Sequence, residues 1–303
     1  MASSPGRKTV ATGKAQNRGE HYEILTNLLC ILTYLELGYN NYGMDGQSLR
    51  ISLSGLPVPD IRYFDSAGST NDEALAWVAE GADDGCLVVA DQQTRGRGRF
   101  RRQWITRAGA ALAFSLILRP TSAELHRAGF FSPLGAIAIC QALEVDPALK
   151  PSIKWPNDVL LLRKKVAGIL VEASWVGDRP QAVVIGIGIN IAAEAVPPAS
   201  ELLFPATSVE EAAGKPVDRE ALLRAILQAL FTWRKQMRSE AFLQAWEARL
   251  AFRGEWVQIE NSGQAPMTGQ VMGIDPGGNL LLRNQAGETT AIAVGDLHLR
   301  PME

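Results

Sequence analysis

The sequence predicts an α+β protein built as a large mixed domain followed by a small β-rich module. Three observations predict it. Strand-like apolar segments and helix-like segments alternate from about residue 60 to residue 143. Three apolar runs broken by tight polar turns follow between residues 159 and 191, and their β-branched content reads as an antiparallel meander. Beyond about residue 252 the chain becomes a series of short strands split by Gly, Pro and Asn turns, the pattern of a small barrel-like module. A length of 303 residues suits one large domain plus a small one, or two medium ones. With 47% hydrophobic and 20% charged residues, collagen-like, disulfide-scaffold and largely disordered classes are excluded. Thirty basic against 32 acidic residues give a net charge of −2, which argues against a bulk nucleic-acid coat protein but leaves room for a local basic patch.

In order along the chain, residues 1–20 are small, polar and mildly basic and read as disordered. The apolar run Ile24–Leu37 is short for a membrane span. Glu20 and Glu23 before it, and no small-residue cleavage site after it, do not match a signal peptide. Residues 1–43 are therefore expected to be an extension with a short apolar helix outside the fold, and no helix–turn–helix head is apparent in them. Ile61–Phe64 reads as a strand. Residues 68–81 read as a helix, with Thr70 and Glu73 at capping-box spacing and Gly81 as the stop. Leu87–Ala90 is a buried strand, 91–109 a loop, Ala110–Leu118 another strand, and Glu124–Leu143 a helix interrupted by Pro133. The meander comprises Val159–Leu162, Val166–Ala173 and Ala182–Ile191. Helices cover about 218–237 and 240–250, and five short strands complete the chain, with a hairpin turn at Asp275–Asn279. The expected division is 44–251 and 252–303.

Cys30, Cys86 and Cys140 are scattered, with no CxxC pair, and read as small buried apolar residues. His21, His126 and His298 are equally dispersed, so neither a histidine metal cluster nor a His-centred triad is supported. The chemistry lies in five other places. Arg95–Arg102 (RGRGRFRR) concentrates five arginines and two glycines in eight residues. Arginine forks match carboxylate and phosphate oxygens, and glycines let backbone N–H groups approach an anion. Five like charges predict a loop that is mobile until an anion orders it. The same segment also reads as a solvated basic loop or an RNA-binding tract, although only Phe100 could stack on a base. It lacks the Gly-Lys-Ser/Thr of a P-loop.

Lys154–Asp158 (KWPND) offers a cation and a carboxylate at the mouth of the meander, or simply a Pro-Asn-Asp turn. Lys165 stands where a polar turn enters a buried strand, as a cleft lysine or as an edge lysine that discourages pairing. Gly186 and Gly188 suggest close approach by a ligand or another backbone, with Asn190 as a polar contact at the strand end. Ser69, Thr70 and Asn71 read as a helix cap that can also line a pocket.

Together, in this order and spacing, GSTNDEA, QTRGRGRFRRQW, KWPNDV, KVAGILVE and GIGINI resemble the biotin protein ligases over about residues 60–300. The resemblance implies a catalytic α+β domain similar to class II aminoacyl-tRNA synthetases, followed by an SH3-like β-barrel. It implies an ATP-dependent ligase of the acetyl-CoA-carboxylase type. Such an enzyme makes biotinyl-5′-AMP from biotin and ATP with Mg²⁺ and passes biotin to a lysine of a biotin carboxyl carrier protein. By the same matching, Ser69, Thr70, Asn71, Gln93, Arg97, Gly98, Arg99 and Lys165 would bind biotin. Arg97, Arg99, Lys154, Asp158, Lys165 and Asn190 would contact ATP, with Asp158 and Asn190 as neighbours of Mg²⁺. Lys165, Arg97 and Arg99 would be catalytic. Two departures stand out: Arg95 replaces the usual alanine, and Arg101 the usual glycine, of the family's loop. The expected partners exclude DNA and membranes, a homodimer is left open, and the expected location is the cytoplasm. A lipoate ligase of the same fold and a nucleic-acid binder using residues 95–102 are the alternatives.

Overall fold

The computed structural model describes residues 44–104, 106–261, 265–293 and 297–301, so the expected extension at 1–43 and Cys30 lie outside the described residues. The short helix α1 (Gly46–Ser52) opens the fold, capped by the Asp45 carboxylate, which accepts from the N–H groups of Gln47 and Ser48. β1 (Ile61–Ala67), α2 (Thr70–Ala79) and β2 (Leu87–Gln93) form a β–α–β unit with parallel strands. Then come β3 (Ala111–Leu118), α3 (Ser122–Leu125), α4 (Phe131–Leu143), β4 (Ser152–Lys154), β5 (Asp158–Leu161), β6 (Lys164–Val176) and β7 (Arg179–Asn190). α5 (Val209–Ala213), α6 (Arg219–Arg234) and α7 (Glu240–Ala248) complete this part. The seven strands make one mixed sheet in the order β1-β2-β3-β7-β6-β5-β4, and every pair except β1–β2 is antiparallel.

The sheet is covered on both faces. On one, Ala74, Trp77 and Val78 of α2 meet Val88, Ile117 and Val184. On the other, Leu87, Val89, Leu116 and Ile185 pack with Phe131, Leu134 and Ile137 of α4 and Leu223, Ile226 and Leu227 of α6. Consecutive residues of a strand point to opposite faces, so β3, between two layers, is buried along its whole length and reads as an unbroken apolar run.

Two predictions are corrected. The segment 124–143 is not one interrupted helix: a separate turn, α3, precedes α4, and Pro133 sits in the first turn of α4, where a missing N–H removes no helix bond. The capping box at Thr70 and Glu73 is not formed. Ser69 is the N-cap, without a side-chain cap bond, and the Thr70 hydroxyl is used elsewhere.

The last five strands, β8 (Trp256–Asn261), β9 (Met267–Ile274), β10 (Leu280–Arg283), β11 (Thr289–Ile292) and β12 (Leu297–Pro301), form a separate antiparallel sheet in the order β11-β10-β9-β8-β12. Val257, Ile259, Val271, Leu280 and Leu282 join the main core alongside Phe242 and Trp246 of α7. The predicted turn at Asp275–Asn279 is present, its Asp275 carboxylate accepting from the N–H groups of Gly277 and Asn279. Gly278, at φ 85°, lies so near Phe130 and Trp246 that a Cβ would come within 3.0 Å of each ring. Its carbonyl accepts from the Trp155 indole at 3.1 Å, which ties the second sheet to the KWPND turn. No helix among the described residues is long and apolar enough to cross a membrane.

Candidate active site

The predicted motifs converge on one cavity of about 130 Å³, lined by Ser69, Thr70, Asn71, Gln93, Arg97, Gly98, Arg99, Lys154, Asp158 and Lys165, together with Phe100, Arg102, Gln103, Trp104, Trp155, Pro156 and Asn157. The β6–β7 strand pair contributes Gly168, Ile169, Leu170, Gly186, Ile187 and Gly188. That volume is below the roughly 300–1,000 Å³ typical of ligand clefts, and the arginine loop supplies part of its wall.

One end of the cavity is neutral and built from hydrogen bonds. The β1–α2 junction buries Ser69, Thr70 and Asn71 against the centre of the sheet. Gln93, at the end of β2, accepts through Oε1 from the Thr70 N–H at 2.8 Å and from its hydroxyl at 3.1 Å. Its Nε2 donates to Thr106 Oγ1 at 3.3 Å. Buried Ser115 of β3 donates to Asn71 Oδ1 at 2.6 Å and lies 2.8 Å from the Thr70 hydroxyl. Gly186 makes room for this end: a Cβ there would lie 2.1 Å from Asn71 Oδ1.

The other end is charged. β4 ends at Lys154 and β5 begins at Asp158, and these two residues are antiparallel partners across the KWPND turn. The Trp155–Pro156 peptide in that turn is cis. Lys165 Nζ lies 2.6 Å from Asp158 Oδ1, and Lys154 Nζ lies 3.5 Å from Oδ2. Two ammonium groups thus share one carboxylate. Burial alone would raise the Asp158 pKa, but Lys165 and then Lys154 outweigh it and hold the acid below its ordinary value. Burial pushes the Lys154 ammonium down, with Asp158 opposing and the charges of Lys165 and Arg102 adding to the depression. The Lys154 ammonium also lies 4.7 Å from the centre of the Phe204 ring. The Lys165 backbone is fixed by its N–H, which donates to the Pro205 carbonyl at 2.7 Å.

Residues 95–104 form a lid. Its base is closed by the Trp104 N–H donating to Gly96 O at 2.9 Å, and its tip by the Gly98 N–H donating to Arg102 O at 2.7 Å. Gly96 is required at the base, since a Cβ would fall 2.4 Å from the Trp104 carbonyl; Gly98 is uncrowded. Phe100 takes a left-handed conformation at φ 58°, costly for a bulky residue, and carries the Arg99 guanidinium over its ring at 4.8 Å. The Arg95 guanidinium lies against Gly68, where a Cβ would come within 3.2 Å of Nη2, so the alanine-to-arginine departure is accommodated by a neighbouring glycine. Two of the loop's arginines have partners elsewhere in the chain. Arg97 is held by Asp72 at 2.6 Å and Glu172 at 2.8 Å, and Arg99 donates to Asn157 Oδ1 at 3.1 Å.

Asn190 is the one predicted site residue that does not line the cavity. It is buried at the end of β7, beside Ala111 of β3, and its Nδ2 donates to the Thr207 carbonyl at 3.1 Å. Sequence reasoning missed Ser115, Thr106, Asn157, Asp72 and Glu172. Only Glu172 carried a signal, as a carboxylate within an otherwise apolar strand. It also left Trp104 at packing. The indole lies on the cross-strand pair Gly168 and Gly188, and a Cβ on Gly188 would come within 2.3 Å of its Nε1. That buried N–H makes no hydrogen bond, and the Lys165 ammonium sits 5.4 Å from the ring centre. Gly186 and Gly188 therefore admit side chains of this chain. Cys86 and Cys140 are free and buried, as predicted.

A mixed sheet with a lysine-rich pocket under an arginine–glycine lid is the frame of a protein-modifying ligase, and residues 63–190 match the family described as the biotin/lipoate A/B protein ligase family. The biotin–acetyl-CoA-carboxylase ligase of Paracoccus denitrificans is 42% identical over 228 residues, covering 72% of this chain and 92% of that protein. The enzyme of the same name from Mycobacterium tuberculosis is 32% identical over 270 residues, covering 85% of this chain and 96% of that protein. A biotin protein ligase from Aquifex aeolicus, solved in complex with biotin and ATP, superposes with a TM-score of 0.70 at 29% identity, covering 80% of this chain and all of that one. This chain belongs to the biotin/lipoate protein ligase family.

Proposed function

We infer that this chain is a biotin protein ligase, an ATP-dependent enzyme that biotinylates a lysine of a biotin carboxyl carrier protein. The observation that carries this reading is the union, in one lidded cavity, of a neutral hydrogen-bonding end and an end where two lysines share one carboxylate. The neutral end suits a ureido ring, which needs both donors and acceptors; Ser69, Thr70, Asn71 and Gln93 supply them. The charged end suits the meeting of two anions, a carboxylate and a triphosphate.

In the first step a biotin carboxylate oxygen attacks the α-phosphorus, the bond to the β-phosphate oxygen breaks, and pyrophosphate leaves. Neither reactant needs a nucleophilic side chain, only fixed geometry and positive charge. Lys165, Lys154, Arg99 and Arg102 all line the cavity; Lys165 would meet the carboxylate and α-phosphate, and the other three the remaining phosphates. Arg97 reaches a ligand anion with what its two acidic partners leave over. In the second step a carrier lysine amine attacks the carbonyl of the mixed anhydride, forming the amide and releasing AMP. The closed lid keeps water from that anhydride in between.

The residues present do not form a magnesium cage. Both Asp158 oxygens face ammonium groups, the Asn190 amide donates to a carbonyl, and among the described residues no three His, Cys, Asp or Glu side chains gather to hold a metal. Mg²⁺ would therefore arrive as part of the ATP substrate, carried on its phosphates. The finer architecture belongs to the same reading: residues 44–251 as a catalytic domain similar to class II synthetases, residues 252–303 as an SH3-like module, and a cytoplasmic location. The test is biotin-dependent ATP–pyrophosphate exchange followed by transfer to a carrier domain. Exchange with lipoate but not biotin would overturn the reading.

A further inference from the structure

The lid is tied down by a residue outside the cavity. Glu172 of β6 is not among the lining residues, yet it contacts two that are. Its Oε1 accepts from Arg97 Nη1 at 3.0 Å and its Oε2 from Arg97 Nη2 at 2.8 Å, a two-pronged carboxylate–guanidinium pair. The same Oε2 accepts from Asn71 Nδ2 at 2.7 Å. Asn71 is fixed on its other side by Ser115, and its Nδ2 also lies 3.3 Å from the Leu170 carbonyl. Asp72, next in α2, takes the remaining side of the guanidinium at 2.6 Å. Three of the five N–H donors of Arg97 are thereby used by acids of the chain itself. The Glu172 side chain is 25% exposed, against 54% for Asp72, so Glu172 is the less screened anchor.

We propose that Glu172, assisted by Asp72, is a positioning residue that clasps the arginine lid to the neutral end of the cavity through Arg97 and Asn71. The clasp sets how tightly biotin and its adenylate are retained. This rests on the reading of the cavity as the biotin and ATP site. One carboxylate oxygen serves both the lid arginine and the amide beside the ligand, so opening the lid and loosening Asn71 are a single event. Parting of the pair would free this stretch of the cavity wall to move as ligand enters. Its re-formation closes the lid without the ligand itself supplying all of the negative charge.

The test uses the full chain with Glu172→Gln, Glu172→Asp, Arg97→Ala and the double variant Glu172→Gln/Arg97→Ala. Glutamine retains an acceptor for Asn71 but cannot hold the guanidinium as a two-pronged anion. The expected result is a biotin KM raised about three- to tenfold, with a smaller change in kcat for exchange. Release of free biotinyl-adenylate should rise in parallel, and trypsin should cut faster within Arg95–Arg102. Glu172→Asp should restore part of each effect, and Glu172→Gln should add nothing once Arg97 is alanine. An unchanged KM and trypsin rate, effects that multiply with Arg97→Ala, or a fall in kcat at constant KM would each overturn the proposal. If the unmodified chain shows no biotin-dependent exchange, the active-site reading fails on its own, and the trypsin comparison still decides the clasp. If Glu172→Gln does not fold, Asp72→Asn reads the same clasp from its other side.

Discussion

The two ends of the cavity are built on opposite principles. Around Thr70, Asn71, Gln93 and Ser115, polar atoms answer one another within a buried network. Around Asp158 the charges do not balance, since Lys154 and Lys165 share a single carboxylate, with Arg102 nearby. A satisfied neutral network fixes shape and holds it whether or not a ligand is present. An unbalanced cationic cluster is worth most when an anion arrives in a site shielded from water. The first end is therefore suited to selecting a substrate, and the second to driving a reaction.

The largest expected effect comes from breaking the charged end. Lys165→Ala removes the cation nearest the proposed carboxylate–phosphate junction and leaves Asp158 with only the more distant Lys154. Loss of one such charge typically costs about 10²–10³ in kcat. The adenylation rate should fall on that scale, while circular dichroism and the melting transition show a folded protein. Unchanged exchange would place Lys165 away from the chemistry. Breaking the neutral end should instead be read in binding. A Gly186→Ala methyl would collide with Asn71 Oδ1, which is held by Ser115 and cannot give way cheaply. Overpacking of this kind costs about 1–3 kcal/mol. Biotin KM should rise roughly tenfold or more, with KM for ATP much less affected; equal effects on both would erase the distinction between the ends. Ser115→Ala is the milder version. It removes the hydroxyl's two buried contacts, to Asn71 Oδ1 and to the Thr70 hydroxyl, each worth about 1 kcal/mol, so biotin KM should rise a few-fold, and calorimetry should find a correspondingly modest loss of stability.

The two ends also differed in how far they could be read from sequence. The charged end was legible because its residues lie in two short segments, Lys154–Asp158 and the turn into β6, so local spacing already brings lysines and carboxylate together. The neutral end was only half legible. Ser69, Thr70 and Asn71 stand out at a helix start. Ser115, however, is a lone hydroxyl in an apolar strand, and it meets Asn71 only because α2 packs across β3. The partners of the lid were not legible either: the sequence displays its five arginines side by side, while the acids that hold Arg97 come from α2 and β6. The place of Asn190 at the end of a motif said nothing of the Thr207 carbonyl that engages it. The β–α–β unit, the meander and the second sheet were legible because local periodicity and turn residues define them. The course of residues 120–131 was not, since Pro133 disrupts a helix interior but is harmless in a first turn.

The smallest expected effect is a shift of the pH profile. Asp158 has a folded pKa below its unfolded one, so its ion pairs contribute stability above the ordinary value of about 3.9 and lose it only as the pH falls through the depressed folded value. Acid down to about pH 4 should therefore leave the lysine clamp in place. Lys154 carries the opposite consequence. Its pKa is also depressed, chiefly by burial, so it gives up its proton below the usual lysine value of about 10.4 as the pH rises. The phosphate side would then lose a charge while the hydrogen bonds among Thr70, Asn71, Gln93 and Ser115, none of which is a lysine, stay in place. The alkaline limb of kcat/KM for ATP should accordingly begin below that of an ordinary lysine, with biotin affinity slower to respond. Lys154→Arg, which keeps its charge at any accessible pH, should move the limb upward even though the different shape of the guanidinium costs some activity at neutral pH. A limb that does not move would assign the alkaline loss to another group and leave Lys154 as a packing residue against Phe204.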